Sequence, residues 1–300
     1  MSGLYRLLKH KWFPPYDPTT SFVGKNVIVT GANSGLGFEA AVKFSALGAS
    51  KLILGVRGIG KGDKAKTAIE ARTQKLNQIE VWQLDMNSYD SIREFADRAS
   101  RELEHLDIVI LNAGVHMATY EQSPYGWEET LQVNVISTAL LGLLMLPKLK
   151  ASKTAQSTLV LEIVSSGLHQ NAKFTDEHKK APNLLESYNA RENYNARENH
   201  NPQSQYTISK LFIMYPMLNL ASLAQGSGGQ PDVIVTTVCP GACKSNLARG
   251  YSSLAYRIGI QILWFFLFRS PESGSRSLVS GVTLGEKAHG RFWQHDEIRP

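Results

Sequence analysis

Six short, almost continuous apolar runs constrain this chain most: Asn26–Thr30, Lys51–Val56, Ile79–Leu84, Leu106–Leu111, Thr158–Val164 and Val233–Val238. A strand with one wet face alternates apolar and polar residues. A strand that is apolar throughout is covered on both faces, as in a parallel sheet with crossover helices above and below it. The intervening segments 34–48, 60–76, 88–104, 125–150 and 204–225 carry the apolar spacing of helices. Gly48 and the Gly226–Gly229 stretch stand where helix C-caps belong. The predicted architecture is α/β: a Rossmann-type, doubly wound parallel sheet in the order 3-2-1-4-5-6, helices on both faces, with a seventh edge strand near Arg291–Trp293. In such a sheet ligands bind beyond the carboxyl ends of the strands, where the winding reverses.

The turn after the first run reads Thr30-Gly31-Ala32-Asn33-Ser34-Gly35-Leu36-Gly37. Gly31 permits a tight turn, Gly35 lets backbone approach a phosphate, and Gly37 allows a helix to pack closely on the strand. The amides around Ser34–Leu36 then face a pyrophosphate at a helix N-terminus. The end of the second run selects between dinucleotides. A free ribose 2′-hydroxyl calls for an acid there, but Leu54-Gly55-Val56-Arg57-Gly58 has none before Asp63, and Lys61 lies close behind. An arginine at Arg57, supported by Lys61, suits a 2′-phosphate through charge-assisted bonds. NADP(H) is the expected cofactor.

The 300 residues are 43% hydrophobic, enough for a large core, and no linker-like stretch divides them, so residues 1–300 are read as one domain. The net charge of +6 is uneven: residues 1–75 hold twelve Lys and Arg against four Asp and Glu, a balance of +8. That basic half coincides with the nucleotide half of the fold, and it lacks an Arg/Lys stripe interleaved with aromatics. A small phosphate-bearing ligand is expected, and nucleic acid is not. Cys239 and Cys243 cannot build a disulfide framework and lack the partners of a zinc site; buried thiols in a reducing compartment, and no metal, are expected. Arg6, Lys9 and Lys11 interrupt the N-terminus, which does not read as a signal peptide. Its apolar residues Leu4, Leu7, Leu8 and Trp12 are expected to pack on the domain, with loose membrane-surface contact as the rival. The expected location is cytoplasmic, at most peripheral to a membrane.

Two stretches fall outside the repeating pattern. Residues 169–205 are polar and contain an exact tandem repeat, YNAREN at Tyr188–Asn193 and again at Tyr194–Asn199. A period of six repeated twice is no solenoid, and a local duplication lengthening a surface loop or helix is expected. Residues 246–270 are the reverse, with Leu254, Ile258 and the run Ile262–Phe268 forming an apolar, helix-like segment too short to span a bilayer. A lid over a lipophilic substrate is the favoured reading, against a dimer contact or a membrane-dipping element.

Far downstream, Tyr206-Thr-Ile-Ser-Lys210 places a lysine one helical turn after a tyrosine. A phenol with an unperturbed pKa of roughly 10 is a poor acid–base group. A cation held beside it favours the phenolate and brings its proton within reach of neutral chemistry.

With these motifs in order, the chain resembles the short-chain dehydrogenase/reductase superfamily, and within it retinol-dehydrogenase-like and fungal natural-product reductases. The likeness runs from about Lys25 to Trp293 and covers the glycine turn, the LGVR strand end, Asp85, Asn112-Ala113-Gly114, Asn134, Ser165-Ser166, YTISK, and Pro240-Gly241 leading to Ser245. The resemblance implies that Tyr206 exchanges a proton with the substrate oxygen and that Lys210 lowers its pKa and bonds the nicotinamide ribose. It implies that Ser166 holds the substrate carbonyl, and that Asn134 anchors a water linking Lys210 to solvent. Asp85 and Asn112–Gly114 would lie on the adenosine side, and Pro240, Gly241 and Ser245 at the nicotinamide end. Leu111 replaces the first of two asparagines common in the family, and Ser166 and Tyr206 stand forty residues apart, further than is usual, so the insertion redraws the substrate entrance. The implied activity is carbonyl reduction or the reverse oxidation of a lipophilic, polyketide-like small molecule, in a chain compatible with homo-oligomers. A nucleotide-binding assembly partner without turnover, or a dehydratase or isomerase on the same scaffold, are the alternatives.

Overall fold

The computed structural model describes residues 11–189, 202–244 and 267–299, and the predicted alternation holds within them. Strand β1 (Asn26–Thr30) is followed by helix α1 (Gly35–Ala46), β2 (Lys51–Val56) by α2 (Ile59–Thr73), and β3 (Ile79–Gln83) by α3 (Tyr89–Glu102). Next come β4 (Ile108–Leu111), α4 (Thr138–Ala151) and β5 (Val160–Val164), then α5 (Pro202–Phe212), α6 (Met214–Leu223) and β6 (Ile234–Cys239). Helix α7 (Pro271–Gly281) and two short strands, β7 (Phe292–Gln294) and β8 (Glu297–Arg299), follow. The sheet order is β3-β2-β1-β4-β5-β6-β7-β8, Rossmann-like through its first six strands. Every neighbouring pair is parallel except β7 and β8.

Successive strand residues point to opposite faces, and both faces are covered. Ile28, Ile53, Val109 and Leu161 join Phe95, Leu141 and Met217 on one side. Val27, Val29, Leu52 and Ile110 join Ala41, Phe44 and Leu278 on the other. This is why the strands are apolar throughout.

Four local features depart from expectation. The seventh strand is present but is not the edge: the chain reverses through His295 and Asp296, both left-handed at φ 55° and 60°, and β8 pairs antiparallel outside it. The 204–225 helix is two helices, joined at Ile213. The 125–150 helix begins at Glu129, where the buried Glu128 carboxylate accepts from the Thr130 and Leu131 amides, and widens into a π-turn at Gln132–Ser137 before α4. The Glu129–Ala151 stretch is long and apolar enough to cross a membrane by length and composition, yet 67% of its most apolar window is buried inside the fold as a core helix. Finally, the long connection after β5 does not simply loop out. Phe174 and Tyr188 pack with Phe212, Ile208, Leu131 and Val135, so the insertion is pinned against α5. Of the YNAREN repeats, only Tyr188 and Asn189 lie within the described residues. There the Asn189 side chain accepts from the Glu128 amide (2.7 Å) and donates to the Gly126 carbonyl (3.0 Å). Most of the expected lid, residues 246–266, lies outside the described residues.

One core residue is out of character. Glu162 lies mid-strand in β5, fully buried, with neither carboxylate oxygen hydrogen-bonded among the described residues. A Cβ on Gly281 would come within 2.0 Å of its Oε2, so α7 approaches the sheet here only because that position is bare. Burial pushes the Glu162 carboxyl well above the usual range. The native state therefore keeps a proton that the unfolded chain releases, and stability falls as pH rises from the unfolded carboxyl's pKa towards the folded one. Glu162→Gln has no proton to lose. Its denaturation midpoint should match wild type in acid and exceed it increasingly towards neutral pH, by about tenfold in folding constant per pH unit of that window; parallel curves would refute the account.

Candidate active site

Helices α1 and the β4 crossover leave the sheet on opposite sides, so a crevice opens beyond the ends of β1 and β4. The floor of that crevice is stitched by hydrogen bonds. The buried Thr30 hydroxyl accepts the Asn112 and Ala113 amides, both at 2.9 Å, and donates to the Ile110 carbonyl at 3.3 Å. The Asn112 side chain donates to the Thr30 carbonyl at 2.8 Å. Gly31 and Gly35 are left-handed, at φ 66° and 60°, and nothing lies within 4 Å of a Cβ built at Gly35, whose backbone borders open space. Gly37 is the opposite case: a Cβ there would meet the Asn112 amide nitrogen at 2.5 Å and the Gly31 carbonyl at 2.7 Å. The loop with Asn33, Ser34 and Leu36 thus presents backbone to the crevice while α1 presses onto the strand ends, a cradle that fits a pyrophosphate.

Beyond Asn112, the chain through Ala113 and Gly114 is held from the π-turn. The Asn134 carboxamide exchanges bonds with the Val115 backbone, accepting from its amide and donating to its carbonyl at 2.9 Å each, and also donates to the Ser209 hydroxyl at 3.1 Å. A side chain on Gly114 would crowd the Asn134 oxygen at 3.1 Å. π-turns of this kind are frequent at functional sites. Next in line, His116 lays its ring against that of Tyr206, centroids 4.9 Å apart. No motif pointed to His116.

The end of β5 meets α5. Ser165, buried, donates its hydroxyl to the Lys210 carbonyl (3.1 Å), and the buried Lys210 ammonium donates to the Val164 carbonyl (2.9 Å). Lys210 Nζ is 5.6 Å from the centre of the Tyr206 ring. Ser166 opens the 3₁₀ turn Gly167–Asn171, its hydroxyl accepting the Leu168 amide at 3.2 Å, and that turn packs on α5. Beneath lies Cys239, the last residue of β6, whose sulfur accepts the Gly167 and Gly241 amides at 3.2 and 3.3 Å. The structure thus brings Ser166, Tyr206 and Lys210 to the carboxyl ends of adjacent strands, with Pro240 and Gly241 alongside. The open cleft lined by Gln225, Gln230, Lys287 and Arg291 lies at the amino ends of β6 and β7, away from this chemistry.

The electrostatics correct one expectation. The Tyr206 phenol is not made acidic: burial raises its pKa well above the ordinary value, and the neighbouring Cys239 adds to the effect. Burial also lowers Lys210, to about 8, with Cys239 opposing. The lysine contacts the ring rather than ion-pairing with the hydroxyl, so desolvation outweighs it.

On the adenosine side, Arg57 and Lys61 are exposed beyond β2. Asp85 is half-buried, its carboxylate accepting the Asn87 amide at 2.9 Å, and Ser88 rather than Asp85 caps α3. Ser245 lies outside the described residues. Of the two thiols, Cys239 is buried and Cys243 half-buried, and among the described residues no cluster of three or more metal-ligating side chains occurs.

Comparison with known proteins agrees with this geometry. The short chain dehydrogenase family model matches residues 25–174. Short-chain dehydrogenase/reductase ffsI of Aspergillus flavipes is 44% identical, over 99% of this chain and 84% of its own. Short-chain dehydrogenase/reductase phmF of Phaeosphaeria nodorum is 42% identical, over 95% of this chain and 81% of its own. Among solved structures, the Pseudomonas aeruginosa RhlG/NADP active-site complex superposes with a TM-score of 0.65 at 20% identity, over 93% of this chain and 97% of that one.

The closeness at Gly37 is testable without substrate. Gly37→Ala should cost about 1–3 kcal/mol of stability by overpacking, read from denaturant midpoints. Adding Asn112→Ala should recover only part of it, because the Gly31 carbonyl remains in the way; full recovery would show that the side chain alone sets the limit.

Proposed function

The chain belongs to the short-chain dehydrogenase/reductase family of oxidoreductases, and from that premise we propose that it uses NADP(H) to reduce a ketone or aldehyde of a lipophilic, polyketide-like small molecule. The reverse oxidation of the alcohol uses the same groups. The observation that carries the reading is the meeting of Ser166, Tyr206 and Lys210 at the ends of β5 and β6, beside a glycine cradle open to a dinucleotide.

When bound, the dinucleotide supplies hydride. The amides of Gly31–Gly37 and the N-terminus of α1 hold its pyrophosphate, and Arg57 with Lys61 neutralises a 2′-phosphate. Asp85 and Asn112–Gly114 flank the adenosine, and Pro240, Gly241, Ser245 and Lys210 take the nicotinamide end. Ser166 positions the substrate carbonyl. Burial keeps Tyr206 a neutral phenol at physiological pH, with a proton to donate to the oxygen as negative charge develops there. Lys210 stays mostly protonated at neutral pH, providing positive charge below the ring. The Asn134 side chain, bonded to Val115 and Ser209, keeps the loop in place, and Asn134 anchors the water of the proton relay. The aromatic run ending at Phe268 supports a lipophilic substrate.

Fluorescence titration with NADPH, followed by turnover on a panel of ketones and aldehydes, tests this. Tyr206→Phe should retain NADPH affinity and lose on the order of 10²–10⁴ in turnover. An active Phe variant would remove the assigned role, and tight cofactor binding with no turnover on any carbonyl would favour a non-redox protein. Separately, Arg57→Asp should move the NADP(H)/NAD(H) affinity ratio towards NAD(H). An unchanged ratio would show that Arg57 does not grip the 2′-phosphate.

A further inference from the structure

The segment Lys11–Asp17 precedes every strand, yet polar bonds clasp it to the region around the proposed nicotinamide end. The Lys11 ammonium donates to the Phe268 carbonyl (2.6 Å), Arg269 to the Phe13 carbonyl (3.2 Å) and Arg276 to the Pro15 carbonyl (3.2 Å). The Tyr16 backbone donates to the Asp296 carboxylate, and Asp17 pairs with Lys43 at 2.9 Å. Trp12, Phe13 and Tyr16 remain 69, 72 and 88% exposed, so apolar burial of these rings does not hold the segment down. The bonds to its backbone do.

Arg269 is the centre of this assembly. It is only 3% exposed, and a buried guanidinium persists only where its charge and donors are answered. One arm reaches the strap at Phe13. The other points at the Pro240 carbonyl at 3.5 Å and lies where a Gly241 side chain would be, 3.0 Å from a Cβ built there. Its backbone also pairs with the same loop, the Arg269 amide donating to Ala242 (2.8 Å) and the Lys244 amide to Arg269 (2.9 Å). Asp296, on the terminal hairpin, supplies the opposing charge. The linkage continues to the glycine turn: Cys243 Sγ and Leu36 Cδ2 both fill the space that a Gly274 side chain would take, at 2.3 and 2.8 Å from a Cβ there.

We infer that Arg269 is a positioning residue for the nicotinamide half of the cofactor, acting with the Lys11–Asp17 strap and Asp296 to fix the Pro240–Lys244 loop. The inference rests on the NADP(H) reading above. Arg269 touches no reacting atom in this account; it sets the place of the backbone that does. The adenosine half is held at Gly31–Gly37, Arg57 and Asp85, one packing layer away from Arg269 through Cys243 and Gly274.

That separation defines the test. Binding of NADPH and of its adenosine half alone, adenosine 2′,5′-bisphosphate, is measured on the full chain by titration, alongside thermal unfolding, for wild type, Arg269→Gln, Arg269→Lys and Asp296→Asn. Losing a charge-assisted buried bond at the loop should weaken NADPH about tenfold or more in Arg269→Gln, while the bisphosphate binds as to wild type. Asp296→Asn should shift affinity the same way by less, and Arg269→Lys should restore part of the loss. If Arg269→Gln does not fold, the same split between the two ligands in Asp296→Asn carries the test. Equal losses for both ligands, or none for either, overturn the inference. A wild-type chain that binds neither ligand instead refutes the NADP(H) reading itself.

Discussion

The whole site depends on how the ends of β1 and β4 are joined. Neighbouring parallel strands whose crossovers leave on opposite faces must open a crevice, and without a bond across it the two strand ends would drift with their own loops. Thr30 and Asn112 supply that bond in both directions, main chain to side chain and side chain to main chain. Since the Asn112 carboxamide occupies the space a residue at 37 would otherwise take, the same contact decides how near α1 comes to the sheet. The helix N-terminus, and the partial positive charge it carries, is thereby aimed at the crevice.

The proton chemistry is set by burial more than by pairing. A lysine one turn from a tyrosine reads in sequence as an acidified phenol, but spacing does not say what surrounds the pair. Here the lysine is buried, its ammonium bonded to Val164 and its carbonyl to Ser165, and desolvation is the largest influence on the phenol. Desolvation disfavours both charged forms, raising the tyrosine and lowering the lysine. From similar ordinary values, the two shifts move the groups' proton affinities apart, so the phenol holds its proton more tightly and the lysine less.

Much of this was legible in the sequence because the sheet is buried on both faces, which forces apolar strands, and because the glycine turn has few physical uses between a strand and a helix. The apolar pattern marks β1 to β6 and the helices between them. It is silent on what depends on directional contacts between distant segments. β8 is three residues reached through two left-handed positions, His295 and Asp296, with no apolar pattern to mark it. His116 and Arg269 carried no motif; the first is defined by a ring it meets across the crevice, the second stands at the end of an apolar run that reads as lid.

Arg269 and Glu162 show where this fold tolerates buried charge and to what end. Both are almost wholly removed from water. Arg269 is surrounded by carbonyl acceptors and an aspartate, at a loop that has to hold a fixed shape. Glu162 has no hydrogen-bond partner among the described residues, deep in the sheet, where the bare Gly281 leaves it room. Apolar burial is strong but has no direction, so it can assemble the layers without locating a loop to within an ångström. Directional bonds to buried polar groups can, and they cost little only when every donor is met. At the carboxyl ends of the strands such bonds fix the Thr30–Asn112 junction and the Pro240–Lys244 loop. Among the described residues, the unsatisfied Glu162 carboxyl lies inside the sheet, where it costs stability.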